Sequence, residues 1–229
     1  MPEETRVVLE KLASQTGTTV AIVSGRACED LRSRVGLDAI LAGNHGLEIQ
    51  VGNSRWRHPA AVERQPALHQ LCGELSGLAA KIPGALVEDK GLTASFHYRR
   101  VDGTRVPALA EAVNAVVAPH NDCFFLRHGK KVFEILPTIR WGKGSAVLRI
   151  LEQLSATQGP GIAVCYIGDD STDECAFQKL PGAITIRVGG SQPTAARFRV
   201  AGTTQVREFL DRLSKSPFPA APAKPGSVF

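Results

Sequence analysis

The sequence predicts an α/β fold: parallel strands buried on both faces, interrupted by an inserted α+β unit. Three observations carry this. Short unbroken apolar runs such as Val20-Ala21-Ile22-Val23 alternate with helix-like segments near the start of the chain, the pattern of parallel strands covered on both faces. After Gly46 the order changes, and strand-like runs follow one another through short connections, as antiparallel strands do. From Lys143 the first pattern resumes.

The elements follow in order. Val8, Leu9 and Leu12 stand at helical spacing between residues 3 and 15, and Gly17 stops the pattern. A strand over Thr19–Val23, a short helix over Cys28–Val35 and a second apolar run over Ile40–Ala42 complete the first part. Leu47–Val51 and Ser54–Arg57 flank Gly52-Asn53 and read as a hairpin. The inserted unit is expected as a helix over Pro66–Lys81, strands Ala85–Glu88 and Thr93–Arg99, a helix over Val106–Val117, and strands Cys123–Arg127 and Val132–Leu136. An antiparallel sheet with helices on one face fits that order. The second part holds a helix from Lys143 to Leu154, a strand Ala163–Ile167, a helix Thr172–Lys179, a strand Ala183–Val188 and a helix Thr203–Leu213. The expected division is residues 1–55 and 138–214 for the α/β core and 56–137 for the inserted unit, with 215–229, rich in proline and alanine, a disordered tail.

Composition narrows the function classes. A chain of 229 residues supports one to two domains, and 43% hydrophobic with 21% charged residues is the balance of a folded globular protein. No apolar stretch approaches the roughly 20 residues that span a bilayer, and Met1-Pro2-Glu3-Glu4 does not open a signal peptide. Membrane insertion and secretion are not expected. Five cysteines without Cys-x-x-Cys spacing read as reduced, mostly buried thiols of a cytoplasmic protein. The net charge of +5 permits nucleic-acid binding, but the basic residues are dispersed and no nucleic-acid signature is present, so a small anionic partner is expected instead.

Four segments carry chemistry. Gly168-Asp169-Asp170-Ser171-Thr172-Asp173-Glu174 ends a buried strand and opens a helix, the end of a parallel sheet at which ligands bind. Capping by Ser171 or Thr172 accounts for Asp173 and Glu174, but not for the adjacent carboxylates Asp169 and Asp170, whose repulsion a hard cation such as Mg²⁺ relieves. Ser24-Gly25-Arg26 also joins a strand to a helix, either as an anion site or as an N-cap serine beside a solvated arginine. Lys143, between Gly142 and Gly144, stands at a helix start where the dipole disfavours a cation; it either neutralises a bound anion or is solvated. In the inserted unit, period two puts Ser95, His97 and Arg99 on one face of a strand, and Lys130, Val132 and Glu134 on one face of another. For His97, packing is preferred over ligation; Arg99, Lys130 and Glu134 could hold a polyhydroxylated phosphate ester.

In order, Val23-Ser24-Gly25-Arg26, Lys143 and Gly168-Asp-Asp-x-x-Asp173, with a domain inserted between, resemble motifs of haloacid-dehalogenase-superfamily phosphatases. Gly43-Asn-His-Gly-Leu-Glu48, Glu88-Asp-Lys-Gly91, His97-Tyr-Arg99, Lys131-Val-Phe-Glu-Ile135, Trp141-Gly-Lys-Gly144 and Tyr166-Ile-Gly-Asp-Asp-Ser-Thr-Asp-Glu174 are similar to the blocks of trehalose-6-phosphate phosphatases. The resemblance implies a Rossmann-like core with an inserted cap, and Mg²⁺-dependent hydrolysis of trehalose 6-phosphate to trehalose and phosphate. It implies that Ser24 and Lys143 hold the phosphoryl group, that Asp169, Asp170 and Asp173 form the metal site, and that Lys90, Arg99, Lys130 and Glu134 read the sugar, with Arg26, Asn44 and His45 at the substrate. Sharing a face with Glu134 selects Lys130 over Lys131. A functional link to a trehalose-6-phosphate synthase is also implied.

Two departures are expected to matter. Leu136 stands where these phosphatases usually carry arginine. Their opening Asp-x-Asp-Gly-Thr strand, which brings the nucleophile and the general acid/base, has no match in the chain. The expectation is a truncated gene start, a missing first core strand and no activity in the chain as given. A catalytically inactive sugar-phosphate-binding or regulatory protein, or a related sugar phosphatase, is the alternative.

Overall fold

In the computed structural model, residues 1–215 are described. Helix α1 (Glu3–Ala13) opens with Glu3 and Glu4, which complement the positive end of its dipole, and buries Val8, Leu9 and Leu12. Strand β1 (Ala21–Val23), helix α2 (Cys28–Val35) and strand β2 (Ile40–Gly43) form a β-α-β unit, with β1 and β2 parallel. Strands β3 (Glu48–Val51) and β4 (Ser54–Arg57) add the expected hairpin, antiparallel to β2, giving the order β1-β2-β3-β4. The division expected at residue 55 falls inside β4.

The inserted unit contains α3 (Pro59–Glu63), α4 (Gln65–Ala79), β5 (Leu86–Asp89), β6 (Ala94–His97), α5 (Val106–Val117), β7 (Phe124–Gly129) and β8 (Val132–Pro137). Its strands are antiparallel in the order β5-β6-β8-β7. Leu68, Leu71 and Leu75 of α4 and Leu109, Val113 and Val117 of α5 bury one sheet face, built from Ala94, Phe96, Phe124, Phe133 and Ile135. Strand alternation therefore places Glu88, Ser95, Glu134 and Arg127, paired across the four strands, in one row on the opposite face.

Two expected faces are corrected here. β6 ends at His97, because Tyr98–Val101 closes a turn, and Arg99 lies exposed in that turn rather than on the strand. Lys130 and Lys131 form the turn between Gly129 and Val132, which pair with each other; Lys130 thus shares no strand face with Glu134. The Tyr98 N–H donates to Lys131 O (3.2 Å), so these two turns meet at one end of the sheet.

The last part runs α6 (Lys143–Gln158), β9 (Cys165–Gly168), α7 (Glu174–Lys179), β10 (Ile184–Val188), β11 (Phe198–Val200) and α8 (Thr203–Lys215). Its strands are parallel in the order β11-β10-β9. Strand β11 and helix α3 are too short, and too polar or alanine-rich, to show a period. Leu210 and Leu213 of α8 pack on α1. Apart from Lys215, the last residue of α8, the expected tail lies outside the described residues.

The parallel core is thus two half-sheets. β1 pairs with β2 alone and β9 with β10 alone among the described residues. Val23 packs both on the cluster of Tyr166, Ala176 and Phe177 and on that of Ile40, Ala42 and Ile49, so the unpaired edges of β1 and β9 border one core. Ala21 and Cys165 are exposed there, unlike residues of a strand covered on both sides.

The chain enters the inserted unit past Trp56 and His58 and leaves it past Trp141. The three rings form one cluster, with Trp56 and Trp141 centroids 5.4 Å apart and His58 and Trp141 5.0 Å apart.

Candidate active site

Of the polar residues singled out from sequence, Ser24, Arg26, Asn44, His45, Asp169, Asp170 and Asp173 follow the carboxyl ends of β1, β2 and β9. Ser24 follows β1, and its Oγ accepts from the Arg26 N–H at 3.2 Å. The N-cap of α2 is Ala27, so Ser24 does not cap it. The Arg26 guanidinium pairs with Asp30 (2.7 Å). Lys143 is the first residue of α6 and is buried, with Nζ donating to Asp173 Oδ1 at 2.8 Å.

Asp173 is held from three sides: by Lys143, by the Tyr166 hydroxyl (2.8 Å to Oδ1) and by the Asp170 N–H (2.9 Å to Oδ2). Glycine is required at 168, because a Cβ there would lie 2.3 Å from the Asp173 carboxyl carbon. The turn after β9 is capped by Asp170, not by Ser171 or Thr172: its carboxylate accepts from the Ser171 N–H, and Asp173 reciprocates on the Asp170 N–H. Burial raises the Asp170 pKa, but the Lys143 charge and the Ser171 and Thr172 donors outweigh it and hold this carboxyl below its ordinary value. Asp169 is exposed, and no described residue donates to its carboxylate. Among the described residues no three histidine, cysteine or acidic side chains gather as a metal site.

The inserted unit closes over this end of the core. Lys90 follows β5, and its Nζ donates to Gly25 O at 3.2 Å; burial lowers its pKa, against the opposing charges of Glu88 and Glu134. His45, in a left-handed conformation at φ 58°, lies on Gly25, where a Cβ would come within 2.5 Å of the ring. His45 Nε2 and Glu134 Oε1 are 3.2 Å apart, and Arg127 donates to Glu134 Oε2 through Nε (2.9 Å) and Nη2 (2.7 Å). Burial lowers the His45 pKa. The Glu134 pKa falls to about 2: burial raises it, and the His45 and Arg127 hydrogen bonds and charges overcome that.

Arg99 and Lys130 remain exposed in their turns, away from these contacts. His97 is half-exposed and pairs with Glu88 at 2.8 Å. Asn44 is fully buried. Arg127 was not anticipated; the signal was the hairpin register, which sets it opposite Glu134. A cleft of about 240 Å³ runs beside the junction, lined by Lys143, His45 and Arg127 at its polar end and by Phe125, Leu136 and Trp141.

The junction is expected to make the fold acid-sensitive. A histidine whose folded pKa is depressed adds stability above its unfolded value near 6.5, and that stability is lost as pH falls below it. Melting temperature is expected to fall between pH 7 and 5, and His45→Gln to flatten part of that slope. His58, also depressed by burial, is expected to contribute to the same window. A slope unchanged in His45→Gln would exclude the junction as its source.

Comparison with known proteins bears on the family and the fold. A family model described as Trehalose-phosphatase matches residues 1–204. Trehalose-phosphate phosphatase B of Arabidopsis thaliana is 37% identical over 226 residues, covering 92% of this chain and 59% of the relative. The chain spans little more than half the length of the curated relatives it matches. Among solved structures, the C-terminal domain of C. albicans trehalose-6-phosphate phosphatase superposes with a TM-score of 0.75 at 25% identity, covering 93% of this chain and 84% of that one. A trehalose-6-phosphate phosphatase related protein reaches 0.80 at 20% identity, covering 94% and 88%, and attests the fold. With parallel half-sheets, an inserted cap, Lys143 and the Gly168–Asp173 turn at the strand ends, and a family match over nearly all described residues, the chain belongs to the trehalose-phosphatase family.

Proposed function

We propose that the chain forms the phosphatase site that hydrolyses trehalose 6-phosphate to trehalose and phosphate, with residues 56–137 as its sugar-reading cap. The observation that carries this is the meeting of Lys143 and Asp169 at the strand ends with Lys90 and Glu134 of the inserted unit. Lys143 Nζ, fixed by Asp173, offers its charge to phosphate oxygens, and Ser24 has a hydroxyl proton to donate. Lys90 and the ionised Glu134 supply one donor group and one acceptor group to sugar hydroxyls; Arg99 and Lys130, whose turns adjoin, would act from the rim.

Asp169, exposed and without a donor, and the ionised Asp170 are hard oxygen ligands suited to Mg²⁺. Asp173, with its oxygens committed to three donors, holds Lys143 and supports that site indirectly. Mg²⁺ bound there would neutralise phosphate charge. The sequence has no Asp-x-Asp, and we assign the attacking aspartate to a strand that pairs with β1 and β9. All five thiols are unpaired, and no described helix is long and apolar enough to cross a membrane; the first supports a cytoplasmic location. Supply of substrate by a trehalose-6-phosphate synthase is the functional link this activity calls for.

The test uses protein in which that strand is present. Glu134→Ala is expected to raise KM for trehalose 6-phosphate about 10- to 100-fold and to change hydrolysis of a small aryl phosphate by less than about threefold. Equal losses on both would place Glu134 in support of the core. Binding without Mg²⁺-dependent phosphate release would favour the noncatalytic alternative.

A further inference from the structure

One buried amide joins the two units alongside the Lys90–Gly25 and His45–Glu134 contacts. Asn44 follows β2 with φ 49°, and its side chain is wholly enclosed. Its Nδ2 donates to Glu48 Oε1 (2.9 Å) and to Lys90 O (3.1 Å), and its Oδ1 accepts from the Thr93 hydroxyl (2.6 Å). The Lys90 N–H donates to Thr93 O (2.9 Å), so Asn44 grips both ends of the turn that carries Lys90. Glu48 and Thr93 are also buried, each about 1% exposed.

Charge fixes the amide's orientation. Glu48 Oε1 also accepts from the Cys28 N–H (2.7 Å), and Oε2 accepts from Arg55 (2.5 Å). A carboxylate so placed accepts only, which forces the nitrogen of Asn44 toward it and the oxygen toward Thr93. On the main chain, the Asn44 N–H donates to Arg26 O (2.7 Å) and the His45 N–H to Ser24 O (2.9 Å). The residue is therefore bonded at once to the Ser24–Arg26 loop and to the Lys90 turn. Both amide hydrogens and the oxygen are engaged, so none is left to meet a substrate.

We propose that Asn44 is a positioning residue: it seats the Lys90 turn of the inserted unit on the phosphate-facing loop of the core, and so sets the Lys90 ammonium over Gly25. The left-handed backbone at 44 belongs to the device. Asparagine tolerates it better than most residues, and it aims the amide across the junction. That Lys90 serves substrate rests on the proposed function; the clasp itself does not.

The experiment separates the two. Asn44→Gly keeps the backbone conformation and removes the amide, and Thr93→Val removes the hydroxyl from the opposite side with its shape retained. Hydrogen exchange of the intact chain is expected to speed up about tenfold across the Lys90–Thr93 turn in both variants, with β9–β11 unchanged, and Thr93→Ser is expected to restore protection. Affinity for trehalose 6-phosphate, read by calorimetry with Mg²⁺, is expected to drop in both as far as in Lys90→Ala. Unchanged exchange at the turn with weakened binding would overturn the proposal by making Asn44 a direct ligand. Faster exchange throughout the chain would overturn it by reducing Asn44 to general structural support. If the unaltered chain does not bind trehalose 6-phosphate while local exchange behaves as expected, the substrate assignment fails and the clasp stands.

Discussion

Lys143→Met is expected to cost about 3–5 kcal/mol of stability, because it leaves the Asp173 carboxylate charged and buried without its cation. The two side chains are 9% and 4% exposed, and the N···O distance is 2.8 Å. Tyr166 and the Asp170 N–H still donate to Asp173, which places the expected loss nearer the lower figure. Asp173→Asn alone is expected to be costly as well, since it strands the ammonium. The double variant Lys143→Met/Asp173→Asn removes both charges and is expected to recover most of the stability in urea unfolding. It is expected to recover no phosphate binding, because the cation at the strand ends is gone. If the double variant stays as unstable as the single ones, the pair is not what holds α6 to the Gly168–Asp173 turn. If it regains phosphate binding, Lys143 is not the anion's partner.

A polypeptide of residues 1–229 by itself is expected to hydrolyse trehalose 6-phosphate at least about 10⁴-fold more slowly than one in which a strand bearing Asp-x-Asp pairs with β1 and β9. Under the proposed function Ser24, Lys143 and Asp169 hold phosphate and metal, but none of them is assigned as the in-line nucleophile with its own activating partner. The unpaired edges of β1 and β9 can accept one parallel strand between two half-sheets that already share Val23 as a core residue. The assay is phosphate release with Mg²⁺, with Asp169→Asn as the control. Turnover by residues 1–229 that Asp169→Asn abolishes would show that another nucleophile exists.

Local patterns made much of this fold legible. The helix of Val106–Val117 and the strand-to-helix turn of Gly168–Asp173 are each specified by neighbours in sequence and lie where expected, and the strand expected over Thr19–Val23 forms as the shorter Ala21–Val23. What depends on pairing was not legible. Lys130 and Glu134 have the spacing of one strand face, yet a two-residue turn at Lys130-Lys131 takes the lysine off the strand and brings Arg127 to Glu134 instead. Arg99 failed in the same way, because period two cannot say where a strand stops. The split of the parallel sheet, and the enclosure of Asn44 between two units, are tertiary facts with no local signature.

The ring cluster at the two crossings has a spectroscopic consequence. The chain has only two tryptophans, Trp56 and Trp141, and both stand in that cluster, with Arg149 4.2 Å above the Trp56 ring and the Trp141 Nε1 donating to Gly46 O at 2.7 Å. All indole emission from this protein therefore originates at the two crossings, from two chromophores close enough to exchange excitation. Its intrinsic fluorescence is expected to report any change in packing at those crossings with no label attached.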